Sequence, residues 1–152
     1  MASATAKLAA IHRSLDDLLG GKRVLPVAPR SPLEWVSVIR RGIPSSAVDA
    51  LTKVTRMSQA ELAACLRIPE RTLARRKREG RLTTEESAKL VRLARVIERA
   101  EEVFEGLDTG LDWLKSPNAS FGGDTPLSLL DTDIGAESVM DTLGRIEHGV
   151  FA

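Results

Sequence analysis

The chain has 152 residues, of which 43% are hydrophobic and 28% charged, with no tyrosine, two tryptophans and three phenylalanines; a core of Leu, Val, Ile and Ala in one ordinary domain or two small ones follows, and it favours helices over sheets. The single cysteine, Cys65, excludes an internal disulfide, and no apolar run approaches the roughly 20 residues that span a bilayer. The net charge of +1 hides a split: residues 1–100 hold 20 Lys/Arg and 10 Asp/Glu, residues 101–152 hold 2 and 11, which suggests one half for nucleic acid and the other for a protein partner.

Helix signals run through the chain. Leu8, Ile11, Leu15, Leu18 and Leu19 recur at helical spacing within residues 6–19, and Gly20-Gly21 stop that helix. Arg13, Asp16 and Asp17 break its apolar stretch, so no signal peptide is expected. KRVLPVAPRSP then reads as a linker or extended arm. Three helix starts share the capping-box pattern: Ser31 with Glu34, Ser58 with Glu61, and Thr83 with Glu86. Pro32 suits the first helical position, where a missing N–H costs nothing. Gly42, the Arg67–Pro69 corner and Gly106 are the expected stops. Ser45 or Ser46 is expected to cap a further helix through Val48, Leu51 and Val54. WVSVI at 35–39 has the composition of a strand, but the cap before it predicts helix.

From about Thr84 to Glu105, Leu90, Leu93, Ile97, Ala100 and Phe104 form one apolar seam, widened by Val91, Val96 and Val103. Such a seam packs on two neighbours, or on one neighbour and a second copy. Beyond Gly106, short apolar pieces alternate with Gly, Pro, Asn and Asp. Thr125-Pro126 opens a short helix through Leu127, Leu129 and Leu130. A last helix is expected over about Ala136–Glu147, with Val139, Met140, Leu143 and Ile146 inward. The reading is all-α, in three parts: 1–30, helix and Pro-rich linker; 31–105, helix-turn-helix with a long connecting helix; 106–152, a small helical binding domain.

The segment SQAELAACLRIPERTLARRKREGR, 58–81, reads as two short helices joined by a tight turn. Leu62, Ala63 and Leu66 face inward, Ala63 and Ala64 are small where the helices cross, Pro69 opens the second helix, and Leu73 anchors it. Seven basic residues and two acidic ones lie between Arg67 and Arg81. A compact pair with a basic second helix is the layout of a helix-turn-helix DNA reader. Arginine grips guanine edges with two hydrogen bonds, and Arg and Lys neutralise phosphates. The candidate DNA-binding residues are Gln59, Arg71, Thr72, Arg75, Arg76, Lys77, Arg78 and Arg81.

Signals for catalysis are absent. His12 and His148 are far apart in sequence, Cys65 reads as a structural thiol on a buried face, and no Cys/His set has zinc spacing. Gly122-Gly123 lacks the pattern of a phosphate loop. Asp124, Asp131 and Asp133 lack calcium-loop spacing and read as caps of helices and turns. No enzyme activity, metal or cofactor is expected.

From about Leu33 onward the chain resembles the Xre/MbcA/ParS family of type II antitoxins, the partners of RES-domain toxins. The resemblance rests on GIPSSAVDAL (42–51), RTLARRK (71–77), RLTTEESAKLVRLARV (81–96), WLKSPNASFGGDTPLSLLDTDIG (113–135) and LGRIEHGVFA (143–152). It implies a helix-turn-helix that represses the toxin–antitoxin operon by binding operator DNA, and a C-terminal domain that blocks the active site of an NAD-consuming toxin. It also implies a homodimer and a larger complex with the toxin, and the lone Cys65 agrees with a reducing cytoplasm. An acidic C-terminal half suits a toxin cleft that presents cations to a dinucleotide. The candidate toxin-binding residues are Arg145, Glu147, His148, Gly149, Val150, Phe151 and Ala152, with Glu147 or the terminal carboxylate meeting toxin cations and Arg145 a toxin acid. Two other readings stay open: a free-standing transcriptional regulator, and a toxin-inhibiting adaptor without DNA binding.

Overall fold

The structure is a computed structural model, and it describes residues 13–149. Every regular element among them is helical; the one β-type contact is an isolated bridge between Pro44 and Arg81. The elements are α1 (Leu15–Leu18), α2 (Pro32–Arg41), α3 (Ser46–Thr55), α4 (Gln59–Leu66), α5 (Glu70–Glu79), α6 (Thr84–Phe104), α7 (Leu107–Lys115) and α8 (Asp133–Glu147). Single 3-10 turns occupy Gly21–Arg23, Ala119–Phe121 and Pro126–Leu129. Two compact units result. One is Leu15–Ala94; among the described residues the other joins Arg13 and Ser14 to the stretch from residue 95 onward. The division falls inside α6, whereas the sequence suggested a change after its end.

In the first unit the expected early helix is present from Leu15, with Leu18 and Leu19 fully buried; Leu8 and Ile11 lie outside the described residues. WVSVI is helical. The Ser31 hydroxyl accepts the Glu34 N–H at 3.2 Å, while the Glu34 carboxylate reaches back to the N–H of Arg30. The three capping boxes differ. Only Thr83–Glu86 is reciprocal, with Glu86 N–H to Thr83 Oγ1 at 3.1 Å and Thr83 N–H to Glu86 Oε1 at 2.9 Å. The core gathers Ile43, Ala47, Val48, Leu51, Leu62, Leu66, Leu73 and Leu90. Ser87 is buried with them, and its hydroxyl accepts the Ile43 N–H at 2.8 Å.

In the second unit the seam of α6 is buried through Val96, Ile97 and Ala100, while Val103 and Phe104 are half-buried. The helix ends one residue before its expected stop. Glu105, at φ 56°, takes the left-handed turn, and Gly106 is extended and begins α7. Gly110 lets α7 cross α6 closely, since a Cβ there would sit 2.9 Å from the Ala100 carbonyl carbon. Glu101 is buried at 1% side-chain exposure, and its Oε1 accepts the Arg13 N–H at 3.0 Å and Arg13 Nη1 at 3.4 Å. The turn Pro126–Leu129 packs against both α7 and α8. Thr125 caps the turn Pro126–Leu129, as its place before Pro126 indicates, and Asn118 and Thr132 supply the caps of the turn Ala119–Phe121 and of α8. Thr132 Oγ1 accepts the Gly135 N–H at 3.0 Å, so α8 starts three residues earlier than expected. A Cβ on Gly135 would lie 1.9 Å from the Leu129 carbonyl oxygen, so only glycine fits.

Candidate functional site

The basic helix pair is set by its turn. Ser58 Oγ accepts the Glu61 N–H at 3.0 Å and starts α4. Arg67 closes that helix in the left-handed region, φ 53°, donating its N–H to Ala64 O at 3.2 Å. The Ile68 N–H goes to Ala63 O at 3.0 Å, and Ile68 itself is buried. Pro69 is the N-cap of α5 rather than its first helical residue. Leu73 is fully buried and fixes which side of α5 faces inward. Of the two small residues in α4, Ala63 is buried and Ala64 is exposed; Cys65 is half-buried.

Helical geometry advances about 100° per residue. Arg71, Arg75 and Arg78 therefore share one narrow stripe, and all three are exposed. Arg75 Nε sits 3.5 Å from Glu79 Oε1, a loose surface pair of little energetic weight. Arg76 and Lys77 flank the direction of Leu73, and their head groups end on the protein itself. Arg76 Nε donates to Glu86 Oε1 at 2.7 Å and Nη1 to Glu79 Oε2 at 3.2 Å, leaving the side chain 18% exposed. Lys77 Nζ lies 2.7 Å from Asp49 Oδ1 and donates to Gln59 Oε1 at 3.0 Å. Arg81 Nη1 donates to the Gly42 carbonyl, and Thr72 is half-buried.

Seven of the eight residues named from sequence thus separate into two groups, and half-buried Thr72 stands apart from both. Arg71, Arg75 and Arg78 face solvent as a cationic stripe. Gln59, Arg76, Lys77 and Arg81 have polar heads engaged within the unit, tying α5 to α3, α4 and the start of α6. Burial pushes the Glu86 carboxyl upward, but hydrogen bonds from Arg76 and Thr83 outweigh it and hold it below the usual carboxylate range. The hydrogen bond to Glu86 raises Arg76 in turn. Glu86, read from sequence only as a cap, also anchors Arg76 from ten residues further on, just beyond the Gly80 turn.

In the second unit, Glu147 accepts both Arg99 Nη1 and Nη2 at 2.9 Å, a two-pronged pair. That pairing, more than residual burial, keeps the Glu147 carboxyl below its usual range. Arg99 also sits 3.2 Å from Glu102. Glu147, expected to face a toxin cation, pairs with Arg99 in the chain by itself. His148 caps α8 through its N–H to Gly144 O at 3.1 Å, and its ring is 75% exposed. Gly149 follows at φ 70°; Val150, Phe151 and Ala152 lie outside the described residues. Arg145 is exposed and lines a cleft of about 500 Å³ between α8 and the turn Ala119–Phe121. Phe121 stands edge-on to Trp113 at 6.4 Å between ring centres, and Trp113 meets Phe104 at 5.6 Å. Leu130 is buried, whereas Trp113, Leu129, Met140 and Ile146 are half-buried.

No helix among the described residues is long and apolar enough to cross a membrane. Residues 34–95 match the family model of the antitoxin Xre-like helix-turn-helix domain, and residues 99–149 that of the antitoxin Xre/MbcA/ParS C-terminal toxin-binding domain. An antitoxin Xre of Yersinia enterocolitica is 38% identical over 120 residues, which cover 77% of this chain and 80% of that protein. One from Photorhabdus laumondii is 34% identical over 118 residues, covering 76% and 80%. A Sphingobium protein named Prs ADP-ribosylating antitoxin is 28% identical over 132 residues, covering 80% and 83%.

Proposed function

This chain belongs to the Xre family of antitoxins, with a helix-turn-helix domain and a C-terminal toxin-binding domain, and from that premise we propose that it neutralises a RES-domain, NAD-consuming toxin and represses the operon encoding both. The observation that carries the DNA arm is the solvent-facing stripe of Arg71, Arg75 and Arg78 beside an α4 capped by Ser58. Three arginines on one helical stripe reach phosphates and guanine edges together. The toxin arm is the acidic second unit. The two-pronged Arg99–Glu147 pair holds the end of α8 on α6.

A homodimer completes this reading. None of the ten residues of α2 is buried, and Leu33 is 79% exposed beside exposed Val36. Pairing of two copies through this face would present two recognition helices to a two-fold operator. The free-standing regulator and the toxin-only adaptor are the competing readings. Gel-shift titration with the promoter of the chain's own operon, together with co-expression with the neighbouring gene, tests all three. An antitoxin of this kind binds the promoter and rescues cells from the neighbouring product. A regulator binds without rescue, and an adaptor rescues without binding.

A further inference from the structure

The outward face of α8 carries a second kind of stripe. At about 100° per residue, Ile134, Ser138, Asp141, Arg145 and His148 all fall within roughly 40° of one line along the helix. Ile134 is 77% exposed, although it is a large aliphatic residue at the first turn of a well-packed helix. Eleven residues on, about 16 Å along the axis, Arg145 lines the cleft with Asp141, Ser138 and Ser120. Asp141 and Arg145 are four residues apart with the acid first, the order that favours a helical ion pair. They do not form one: among the described residues neither enters a salt bridge or side-chain hydrogen bond, while Glu147, two residues after Arg145, is fully paired with Arg99. Arg145 is one of two Lys/Arg residues from Glu101 onward, set among eleven Asp/Glu.

We propose that this stripe and the cleft beside it are the toxin-docking face. An apolar pocket on the toxin receives Ile134, and a toxin carboxylate enters the cleft to take the Arg145 guanidinium, with a toxin cation opposite Asp141. An exposed aliphatic residue and an unpaired arginine on one line are what a partner of mixed charge with an apolar socket recognises. The polar lining at Ser120 and Ser138 suits a carboxylate, which accepts hydroxyl hydrogen bonds. The inference rests on the antitoxin reading and extends its contact surface from Arg145 along the flank of α8 to Asp141, Ile134 and the cleft.

The test is calorimetric titration of the toxin into the full-length chain carrying Arg145→Glu, Arg145→Lys, Ile134→Asp or Lys115→Glu. Lys115 is exposed at the end of α7, off the stripe, and its reversal changes net charge by the same amount as Arg145→Glu. Arg145→Glu and Ile134→Asp each weaken binding at least about tenfold. Arg145→Lys falls between them and wild type, because it keeps the charge but loses the planar fork. Lys115→Glu stays within about twofold. The docking face is overturned if Arg145→Glu and Ile134→Asp bind like wild type, or if Lys115→Glu loses as much as Arg145→Glu. Absence of binding by the wild-type chain would instead overturn the antitoxin reading. All three positions are exposed, and unchanged melting temperatures separate lost contacts from lost fold.

Discussion

Helices α5 and α8 use the same period to opposite ends. On α5 the outward stripe is Arg71, Arg75 and Arg78, uniformly cationic, and the residues flanking Leu73 are struts clamped to Glu86 and Asp49. On α8 the outward stripe is mixed: an exposed isoleucine, an acid, an arginine and a histidine. A surface of one sign suits a uniformly charged polymer, which asks mainly for charge and spacing. A mixed surface with an apolar point suits one particular protein, because mismatched charges repel every other partner. Charge type therefore says less than position on the wheel: Arg76 sits between two exposed arginines in sequence yet ties the fold together.

The sharpest way to break the comparison is to remove the anchor of each helix. Leu73→Ala empties a fully buried site and should cost roughly 2–5 kcal/mol, abolishing operator binding. Gly135→Ala drives a Cβ into the Leu129 carbonyl and should cost on the order of 3 kcal/mol, abolishing toxin binding first. Differential scanning calorimetry with both binding assays checks whether the losses stay on separate partners.

The stripes come next. Arg71→Ala/Arg75→Ala should lower operator affinity and flatten its dependence on log salt by about 2, with an unchanged melting temperature. Arg76→Ala should lower the melting temperature, because it strands the largely buried Glu86 carboxylate. Equal behaviour of the two variants would erase the distinction between stripe and strut.

A smaller effect is pH-dependent. Glu86 titrates below the ordinary carboxylate range in the folded chain, so its pairing stabilises the fold at neutral pH. That contribution fades as acid carries the pH down through the lowered value. The gap in unfolding free energy between wild type and Glu86→Gln should therefore be full at about pH 6–7 and shrink toward about pH 3. A gap that widens in acid would reverse the assignment. Smallest is the cap: Thr132→Ala should cost about 1 kcal/mol, measured by urea unfolding.

Much of the fold was legible in the residues. Capping hydroxyls and apolar spacing located α2, α4, α5 and α6 because they are local and periodic. The end of α6 was misread because Glu105, not a glycine, adopts the left-handed turn, and sequence offers no strong sign of that choice. The apolar spacing places the start of α8 late because its first turn, Asp133 to Gly135, contributes no buried apolar side chain. Among the candidate site residues, basic character was easy to read, but pairing was not. Lys77 with Asp49 and Arg99 with Glu147 join residues 28 and 48 apart in sequence, and only the folded chain brings them together. The Leu73 wheel, by contrast, was available from sequence and would have set Arg76 and Lys77 apart.

The most direct measurement is the affinity of the full-length Arg71→Ala/Arg75→Ala chain for its proposed toxin, by calorimetric titration against wild type. Two separable surfaces require a dissociation constant within about twofold of wild type while operator binding collapses. A parallel loss of toxin affinity in a chain with an unchanged melting temperature would contradict them.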